Sequence, residues 1–385
     1  MRNFGGTMNI GDRLEAIGKL VPHGCVLADI GTDHAYLPVW LLEQGKIVSA
    51  IAGDIAEGPC LAAKNTVSMH GMKGKVEVRL GSGLKVLQAG EADCIAIAGM
   101  GASTMIEILE ADMPLAVEAA AWIAREFEKA RLMKMDSTWF KSFRTEKGIV
   151  GHNVLGMLPG APDAKTYVIV GAHFDHIGLL HGKHYPGADA NASGTVAMTT
   201  IARMMSAMRL ATGRRNPSNL IFVGFDGKEA DMSGSAALWD MIRDGRLTDP
   251  VTGKVITPKQ ISLMVNIDQI GATLSPLRSD RPDYIIMLGN NRLRPSKRDI
   301  LDYCNKNFRT HLHLGYDYYG SEQFTTIFYR LSDQRIFIDN GIPSVLFTSG
   351  ITMKTNKTYD NAASLDYSIL RKRILLMFHW IEKML

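Results

Sequence analysis

One stretch, residues 167–194, constrains the fold more than any other part of the chain. It begins with a short apolar run, Tyr167–Gly171, that is typical of a buried strand. His173 and Asp175 follow this run, and Asp189 comes sixteen residues after His173 in a loop of Gly, Ala, Asn and Ser. A helical pattern starts directly after the loop. The stretch therefore predicts a strand, a polar loop and a helix of an α/β fold, with polar side chains at the carboxyl end of the strand.

The polar residues at this strand end are of the types that bind metal. An imidazole and a carboxylate suit zinc, which makes His173 and Asp189 candidate ligands. Asp175 is placed to hold the second ring nitrogen of His173. The alternative is an ordinary polar loop beside a strand, with no bound ion. The pattern favours the metal site.

The composition is that of a soluble globular protein. The chain has 385 residues, of which 46% are hydrophobic and 21% charged, and this length allows one large or two ordinary domains. The net charge of +4 is too small to indicate nucleic acid or a membrane as a partner. Its 4 cysteines form no CxxC pair and indicate neither a disulfide scaffold nor a cysteine zinc site. The sequence shows no secretory pattern and no run of about 18 apolar residues, so we expect a cytoplasmic protein with no membrane partner.

Residues 10–101 alternate between helical and strand patterns. The runs CVLADIG, SAIAGD, VEVRLGSG and CIAIAGMG are separated by helical stretches, which predicts a parallel, doubly wound, Rossmann-like sheet. Such sheets bind cofactors at their strand ends, where a glycine admits the ligand and an acidic residue accepts ribose hydroxyls. The GxGxxG fingerprint is absent, however. The pattern alone therefore also fits an ordinary strand–turn–helix unit.

Five segments of this part resemble the bacterial tRNA N1-adenine methyltransferase family, whose methyl donor is S-adenosylmethionine. They are RLEAIGKLVPHG, VLADIGTDHAYLP, AIAGDIAEGP, VRLGSGL and IAIAGMG. The resemblance implies cofactor-binding roles along these motifs. The implied residues are Asp29, Gly31, Asp33 and His34 at the methionine side, Asp54 at the ribose, Gly81 and Ser82 near the adenine, and Gly99, Met100 and Gly101 near the reacting methyl group.

This first resemblance ends near residue 110. The family needs three further strands and a helical tail for RNA, and the sequence continues with neither. We therefore predict a partial methyltransferase-like domain at residues 1–112, with an unpaired sheet edge. From it we expect no methylation of tRNA and at most weak binding of S-adenosylmethionine.

The remainder of the chain, from about residue 119, resembles the co-catalytic zinc aminopeptidase and glutaminyl-cyclase-like metallopeptidase family. The shared landmarks are NVLGMLPG, GAHFDH, PGADANASG, IFVGFDGKEADMSGS, NIDQIG and GIPSVLFTSG. The resemblance implies an α/β/α sandwich of the zinc aminopeptidase type for residues 113–385. It also implies two zinc ions that share one carboxylate, with a glutamate as general base.

The family's site maps onto this chain position by position. The matching residues are His173 and Asp268 for one ion, Asp189 for the shared carboxylate, Glu229 for the other ion, Asp175 behind the ligand histidine, Asn356 where the fifth ligand should be a histidine, and Lys228 where the general base should be a glutamate. The family's histidine stands in a context like H-x-P/T-x-D, where this chain reads NKTYDNAASLD from Asn356 on.

The last two replacements affect the chemistry. An amide oxygen is a poor zinc ligand, and the ammonium of Lys228 accepts no proton unless its pKa is strongly lowered. Loss of a general base typically costs about 10²–10⁴-fold in rate. We therefore expect at most one zinc ion, weak or absent hydrolysis, and a cleft that binds a peptide or a small amide. The alternatives are an active zinc exopeptidase, methyl transfer by the first part, and a fusion with no function of its own.

Overall fold

The computed structural model describes residues 8, 10–87, 91–101, 104–105, 115–145, 150–180, 183–274, 276–278 and 280–385. The chain divides into two compact units, residues 1–114 and residues 115–385. The boundary predicted after residue 112 lies outside the described residues.

The first unit is built on a four-stranded parallel sheet. Its strands are β1 (Cys25–Ile30), β2 (Ile47–Asp54), β3 (Val76–Leu80) and β4 (Cys94–Ile97), in the spatial order β3-β2-β1-β4. Its helices are α1 (Asp12–Leu20), α2 (Tyr36–Glu43) and α3 (Glu57–Met69), with a 3₁₀ turn at Gly83–Val86. The apolar runs of the sequence are therefore the strands, and the predicted Rossmann-like arrangement is confirmed.

β1 lies inside this sheet and β4 at its edge. Leu27 and Ala28 of β1 are completely buried, because Leu27 lies in one core with α2 and α3 and Ala28 packs on the other face with Val86 of the 3₁₀ turn. Among the described residues, β4 pairs only with β1, and Ile95 of β4 is 47% exposed. Within the described part of the chain, the outer edge of β4 thus carries no strand.

The second unit contains a nine-stranded mixed sheet. Its strands are β5 (Met133–Lys134), β6 (Phe140–Arg144), β7 (Val150–Leu158), β8 (Tyr167–His173), β11 (Asn219–Phe225), β12 (Ile261–Ile267), β13 (Tyr284–Leu288), β14 (His313–Gly315) and β15 (Ser344–Thr348). The order is β14-β13-β15-β12-β8-β11-β7-β5, with β6 also on β7, and β8, β11, β12 and β15 run parallel. A separate hairpin joins β9 (Gly178–Leu180) to β10 (Lys183–Tyr185).

Helices cover both faces of this sheet. They are α4 (Leu115–Lys129), α5 (Ser193–Thr212), α6 (Ser233–Arg243), α7 (Ile300–Asn307), α8 (Glu322–Phe328), α9 (Arg335–Asp339) and α10 (Tyr367–Met384). Val168 and Val170 of β8 lie in one core with α4, α5, α7 and α10, whereas Ile169 lies in a second core with α6 and α9. Alternate residues of a strand face opposite sides of the sheet, so β8 packs against the helices of both layers. The predicted α/β/α sandwich is confirmed.

The helix start predicted at Asp366 matches the structure. Asp366 caps α10, since its Oδ1 accepts the amide of Ile369 at 3.0 Å. β5, β6 and the β9–β10 hairpin were not predicted, because they are short and lack a buried apolar run.

No helix in the described part of the chain is long and apolar enough to cross a membrane.

Candidate functional site

The carboxyl ends of β8, β11 and β12 lie side by side in the second unit. These strands are parallel neighbours. His173 at the end of β8 and Asp268 after β12 therefore lie at the same end of the sheet, where the strands finish. Both residues are buried, and Nε2 of His173 lies 3.3 Å from Oδ1 of Asp268. Burial alone favours the neutral form of each group, but their attraction outweighs it, which raises the pKa of His173 and lowers that of Asp268.

Asp175 lies behind the ring of His173. The Nδ1 atom of that ring is 3.2 Å from the carbonyl oxygen of Asp175 and 3.6 Å from its carboxylate Oδ1. The other carboxylate oxygen of Asp175 accepts the backbone amide of Glu229 at 2.9 Å. Asp175 therefore contacts His173 and also fixes the loop that carries Glu229.

One carboxylate oxygen of Asp189 accepts hydrogen bonds from the protein, and the other accepts none from the described residues. Its Oδ1 accepts the amides of Gly271 (2.7 Å) and Ala272 (3.1 Å) and the hydroxyl of Ser193 (3.1 Å). Its Oδ2 is buried and has no hydrogen-bond partner among the described residues. Burial raises the pKa of Asp189, although the amide donors oppose this shift. A buried oxygen without a donor is a suitable position for a cation.

Asp360 holds the loop of Asp189 from the opposite side. It is completely buried, and its carboxylate accepts the amides of Asp189 at 2.9 Å and Ala190 at 3.2 Å. No role was predicted for Asp360 from the sequence. The signal was present, because Asp360 is the aspartate that closes the motif beginning at Asn356.

Lys228 and Glu229 contact each other at the rim of this centre. The Nζ atom of Lys228 lies 3.7 Å from Oε1 of Glu229. Burial lowers the pKa of Lys228, but the carboxylates of Asp268, Glu229 and Asp333 outweigh burial and raise it. This direction is opposite to the one that a neutral lysine base requires.

Asn356 is not brought into the buried centre. It is exposed, has a positive φ of 59°, and lines an open cavity of about 500 Å³ together with the strand Lys183–Tyr185. The five positions matched to the family's ligands thus divide into two sets. His173, Asp189 and Asp268 are buried, whereas Glu229 and Asn356 are exposed.

A buried polar network that the sequence analysis missed lies under Asp268. Ser332 donates to Oδ2 of Asp268 at 2.6 Å, and Asn266 donates to both Ser332 and Gln334 at 2.8 Å. Asp333, between them in the chain, is completely buried and its oxygens have no hydrogen-bond partner among the described residues.

Burial makes the carboxyl group of Asp333 harder to ionise than an exposed aspartate. Burial raises its pKa to about 6. The hydroxyl of Ser235 is close enough to lower this pKa somewhat, but it donates to the carbonyl of Met232 at 3.0 Å. No apolar periodicity marks residues 332–334 in the sequence, which explains why they were missed.

His176 is another unassigned group near the centre. Both of its ring nitrogens are buried and have no partner among the described residues. A Cβ atom at Gly187 would lie 2.6 Å from this ring, so the glycine lets the imidazole pack against the loop that leads to Asp189.

The donors fit one divalent ion better than two. An imidazole nitrogen of His173, a carboxylate oxygen of Asp268 and the bare oxygen of Asp189 are suitable zinc ligands. As they stand, no three His, Cys, Asp or Glu side chains of the described residues converge as a metal-binding group. The 3.3 Å between Nε2 of His173 and Oδ1 of Asp268 is nevertheless about the separation of two ligand atoms on one tetrahedral zinc ion. For a second ion, Asn356 is an exposed amide and Lys228 places a cation beside Glu229.

In the first unit, a cavity of about 240 Å³ lies at the ends of β1 and β4. Of the residues predicted to bind a cofactor, five line it: Asp29, Gly31, Asp33, His34 and Gly99. Arg13 and Tyr36 also line it, and the sequence analysis missed both. Ligand pockets usually measure about 300–1,000 Å³, so the cavity bounded by the described residues is smaller than an ordinary ligand pocket.

Asp29 forms the buried floor of this cavity. It accepts the hydroxyl of Thr32 at 2.7 Å, and burial, with a smaller contribution from Asp54, raises its pKa to about 6. Asp54 accepts the amides of Asp33 and Ala56, each at 3.1 Å. The carboxylate of Asp54 therefore shapes the loop after β1.

The other predicted residues of this part lie outside the cavity lining. Gly81 donates its amide to the carbonyl of Asp54 at 2.9 Å, and Ser82 and Gly101 are exposed. A Cβ atom at Gly31 would lie 2.5 Å from Cε of Met100. Gly31 has a φ of 73°, so both the backbone conformation and the space favour glycine here.

The sheet between two helical layers, with histidine and carboxylates at its parallel strand ends, defines the second unit as an α/β/α unit of the metallopeptidase class. The family model of peptidase family M28 matches residues 153–381. This is more than half of the chain, and the chain belongs to peptidase family M28. A model of a methyltransferase domain matches residues 10–135. That match extends into α4 and β5, which are part of the second unit.

Individual relatives match each unit separately. The tRNA (adenine(22)-N(1))-methyltransferase of Bacillus subtilis is 46% identical over 104 residues, which are 27% of this chain and 44% of the relative. A probable leucine aminopeptidase of Trichophyton verrucosum is 30% identical over 169 residues, 40% of this chain and 43% of the relative. The chain thus spans less than half the length of these relatives. Both resemblances noted in the sequence are confirmed.

Solved structures support the fold of the second unit. LapB from Legionella pneumophila matches with a TM-score of 0.51 and 16% identity, over 71% of this chain and 66% of that chain. The LapA aminopeptidase of the same organism gives a TM-score of 0.50 at 15% identity. Identities this low establish the shared fold alone.

Proposed function

We propose that the second unit is a degenerate M28 peptidase that holds at most one zinc ion and binds a peptide or small amide without efficient hydrolysis. The observation that carries this proposal is the contact between Lys228 and Glu229, whose charged atoms lie 3.7 Å apart. A cation stands where the family resemblance places the general base and beside a ligand of the second ion. A lysine in this position donates hydrogen bonds and repels a divalent ion.

The remaining residues would hold one ion and a ligand. His173, Asp268 and Asp189 would bind the ion, which supplies Lewis-acid polarisation of a carbonyl oxygen when present. Asp360 orients Asp189 through the backbone amides of the loop. Lys228 is half-buried and offers an ammonium donor to a ligand carbonyl or carboxylate. Binding and orientation therefore need no proton acceptor at residue 228.

Elemental analysis of the purified full-length chain tests this proposal. We expect no more than one zinc ion per chain, and a large loss of this ion in Asp189→Asn. We also expect no zinc-dependent release of amino acids from a panel of aminoacyl amides. Two zinc ions in the unmodified chain, or zinc-dependent hydrolysis by it, would overturn the proposal.

A double variant tests the cause of the degeneracy. Lys228→Glu restores an acceptor and Asn356→His restores an imidazole, so the double variant should bind close to two zinc ions, while each single variant should not. Lys357→Glu, which places a carboxylate on the exposed loop beside Asn356, is the matched control. Metal gain with hydrolysis would identify these two residues as the cause of lost activity. Metal gain alone would favour a cleft adapted to binding.

For the first unit we propose weak binding of S-adenosylmethionine without methyl transfer to tRNA. Its cavity brings together Asp29, Gly31, Asp33, His34 and Gly99, and the methyltransferase of Bacillus subtilis matches the same part of the chain. Equilibrium dialysis with labelled S-adenosylmethionine should detect binding that Asp29→Ala removes. Transfer of label to tRNA, abolished by the same variant, would contradict the proposal.

A further inference from the structure

A second cavity in the M28 unit lies apart from the candidate metal centre. It has a volume of about 400 Å³ and is lined by three arginines, Arg292, Arg298 and Arg330, with Tyr316, Tyr329 and Asn290 among the other lining residues. No carboxylate is among the described residues that line it. We call it the arginine cavity.

The arginine cavity and the pair His173 and Asp268 lie at opposite ends of the strands of this sheet. β13 runs antiparallel to β15, with Leu288 opposite Leu346 and Ile286 opposite Thr348. The loop after β13, which carries Asn290 and Arg292, therefore lies beside the start of β15. Asp268 lies beyond the other end, where its amide donates to the carbonyl of Phe347.

Two of the three guanidinium groups are not neutralised by a carboxylate. Arg330 pairs with Asp339 at 2.6 Å. Arg298 is held by two backbone carbonyls, those of Leu293 (3.1 Å) and Asn291 (2.9 Å). It forms no ion pair within the described part of the chain. The guanidinium of Arg292 forms neither a hydrogen bond nor an ion pair with any described residue, which leaves two positive charges at the cavity without an ion pair.

Two acids lie near the cavity and keep their negative charges, but neither forms an ion pair with an arginine among the described residues. Asp302 accepts the hydroxyl of Tyr316. Asp299, next to Arg298 in the chain, is exposed and makes no ion pair with a described residue.

One residue of the cavity wall, Tyr329, is held by a hydrogen bond, and one polar wall atom lacks a partner. Tyr329 is fixed because its hydroxyl donates to the carbonyl of Ser344 at 2.5 Å. The side-chain Oδ1 of Asn290 is buried and has no partner among the described residues. Since buried polar groups are nearly always paired, this oxygen, which can only accept, indicates a place for a hydrogen-bond donor such as a water.

We propose that the arginine cavity binds a small phosphate monoester whose organic part is planar. A phosphate monoester carries about −1.5 to −2 charges at pH 7, which complements Arg292 and Arg298. Guanidinium groups recognise phosphate oxygens in pairs. Arg298 is a pre-positioned donor, and the unpaired Arg292 is free to close on the anion. Tyr316 and Tyr329 offer aromatic surfaces for the organic part, and the volume lies within the usual range of about 300–1,000 Å³.

Isothermal titration of the full-length chain with phenyl phosphate tests the site, with inorganic phosphate and benzoate as the comparison ligands. We expect phenyl phosphate to bind with a Kd below about 1 mM, inorganic phosphate to bind more weakly, and benzoate to give no binding. Arg292→Ala should weaken binding about ten- to a hundredfold, the effect of losing hydrogen bonds to a charged group. Arg292→Lys should retain part of the affinity. Asn290→Asp, which adds a negative charge to the wall, should abolish binding.

Arg294→Ala is the matched control, because Arg294 is exposed and is not among the lining residues. It should leave the Kd unchanged. An equal loss in Arg294→Ala would show diffuse attraction and overturn the site. Absence of phenyl phosphate binding, or equally strong binding of benzoate, would overturn the assignment to a phosphate monoester. Circular dichroism of Arg292→Ala and Asn290→Asp, compared with the parent chain, separates lost binding from lost folding.

Discussion

Arg373 of α10 is a buried cation that supports the loop beneath Asp189. It is completely buried, and its guanidinium donates to the carbonyls of Tyr284 (2.7 Å), Ile270 (2.7 Å) and Ala272 (3.0 Å). The amide of Ala272 in turn donates to the carboxylate of Asp189. Arg373→Met keeps most of the side-chain volume and removes these donors.

The size of the effect follows from two opposing terms. Three hydrogen bonds from a charged donor contribute about 1.5–3 kcal/mol each, or about 4–9 kcal/mol together. Against this, burial lowers the pKa of Arg373 from 12.5 to about 10, which at about 1.4 kcal/mol per pKa unit represents roughly 3 kcal/mol. One nitrogen, Nη2, has no partner among the described residues, so the lower half of the range applies. We expect Arg373→Met to lose about 1–3 kcal/mol of unfolding free energy.

Denaturant unfolding of the full-length chain, followed by tryptophan fluorescence, measures this loss for the second unit. Arg371→Met is the matched control, because Arg371 lies two residues earlier on α10 and is exposed; its effect should stay within about 0.5 kcal/mol. Zinc affinity should fall together with stability in Arg373→Met, since the loop positions Asp189. A loss below about 1 kcal/mol, or one equal to that of Arg371→Met, would refute the assigned role.

Three further predictions concern the two units. Asp360→Ala leaves the amides of Asp189 and Ala190 without their acceptor, so zinc affinity measured by competition with a chelator should fall at least about tenfold; an unchanged affinity would contradict this. The pKa of Asp29 is raised to about 6 from 3.8, so the folded first unit keeps the proton over this interval and its stability falls as pH rises from about 4 to 6, by roughly 3 kcal/mol. Asp29→Asn should remove that slope in unfolding titrations at pH 4 and pH 7, and an unchanged slope would show that other groups cause it. Residues 115–385 alone should unfold in one cooperative transition seen by calorimetry, because this unit has its own cores; an insoluble fragment or a broad transition would count against it.

The element types and both fold families could be predicted from the sequence. The apolar run at Tyr167–Gly171 forms a strand in any context that buries it, because its residues are β-branched, aromatic or small. The landmarks GAHFDH and PGADANASG place His173 and Asp189 on a strand end and a loop by local geometry alone. The replacements at Lys228 and Asn356 were also visible, since they are changes of residue type at fixed spacing.

The tertiary structure alone decided which side chains share an environment. Asp360 lies 171 residues from Asp189 and Arg373 lies 103 residues from Ile270, so no local pattern connects them. The same holds for the contact of Ser332 with Asp268 and for the convergence of Arg292, Arg298 and Arg330 on one cavity. Secondary structure depends on neighbours a few residues apart. Burial, pKa and hydrogen-bond partners instead depend on which distant segments the sheet order brings together, and this order is set by packing of the whole unit.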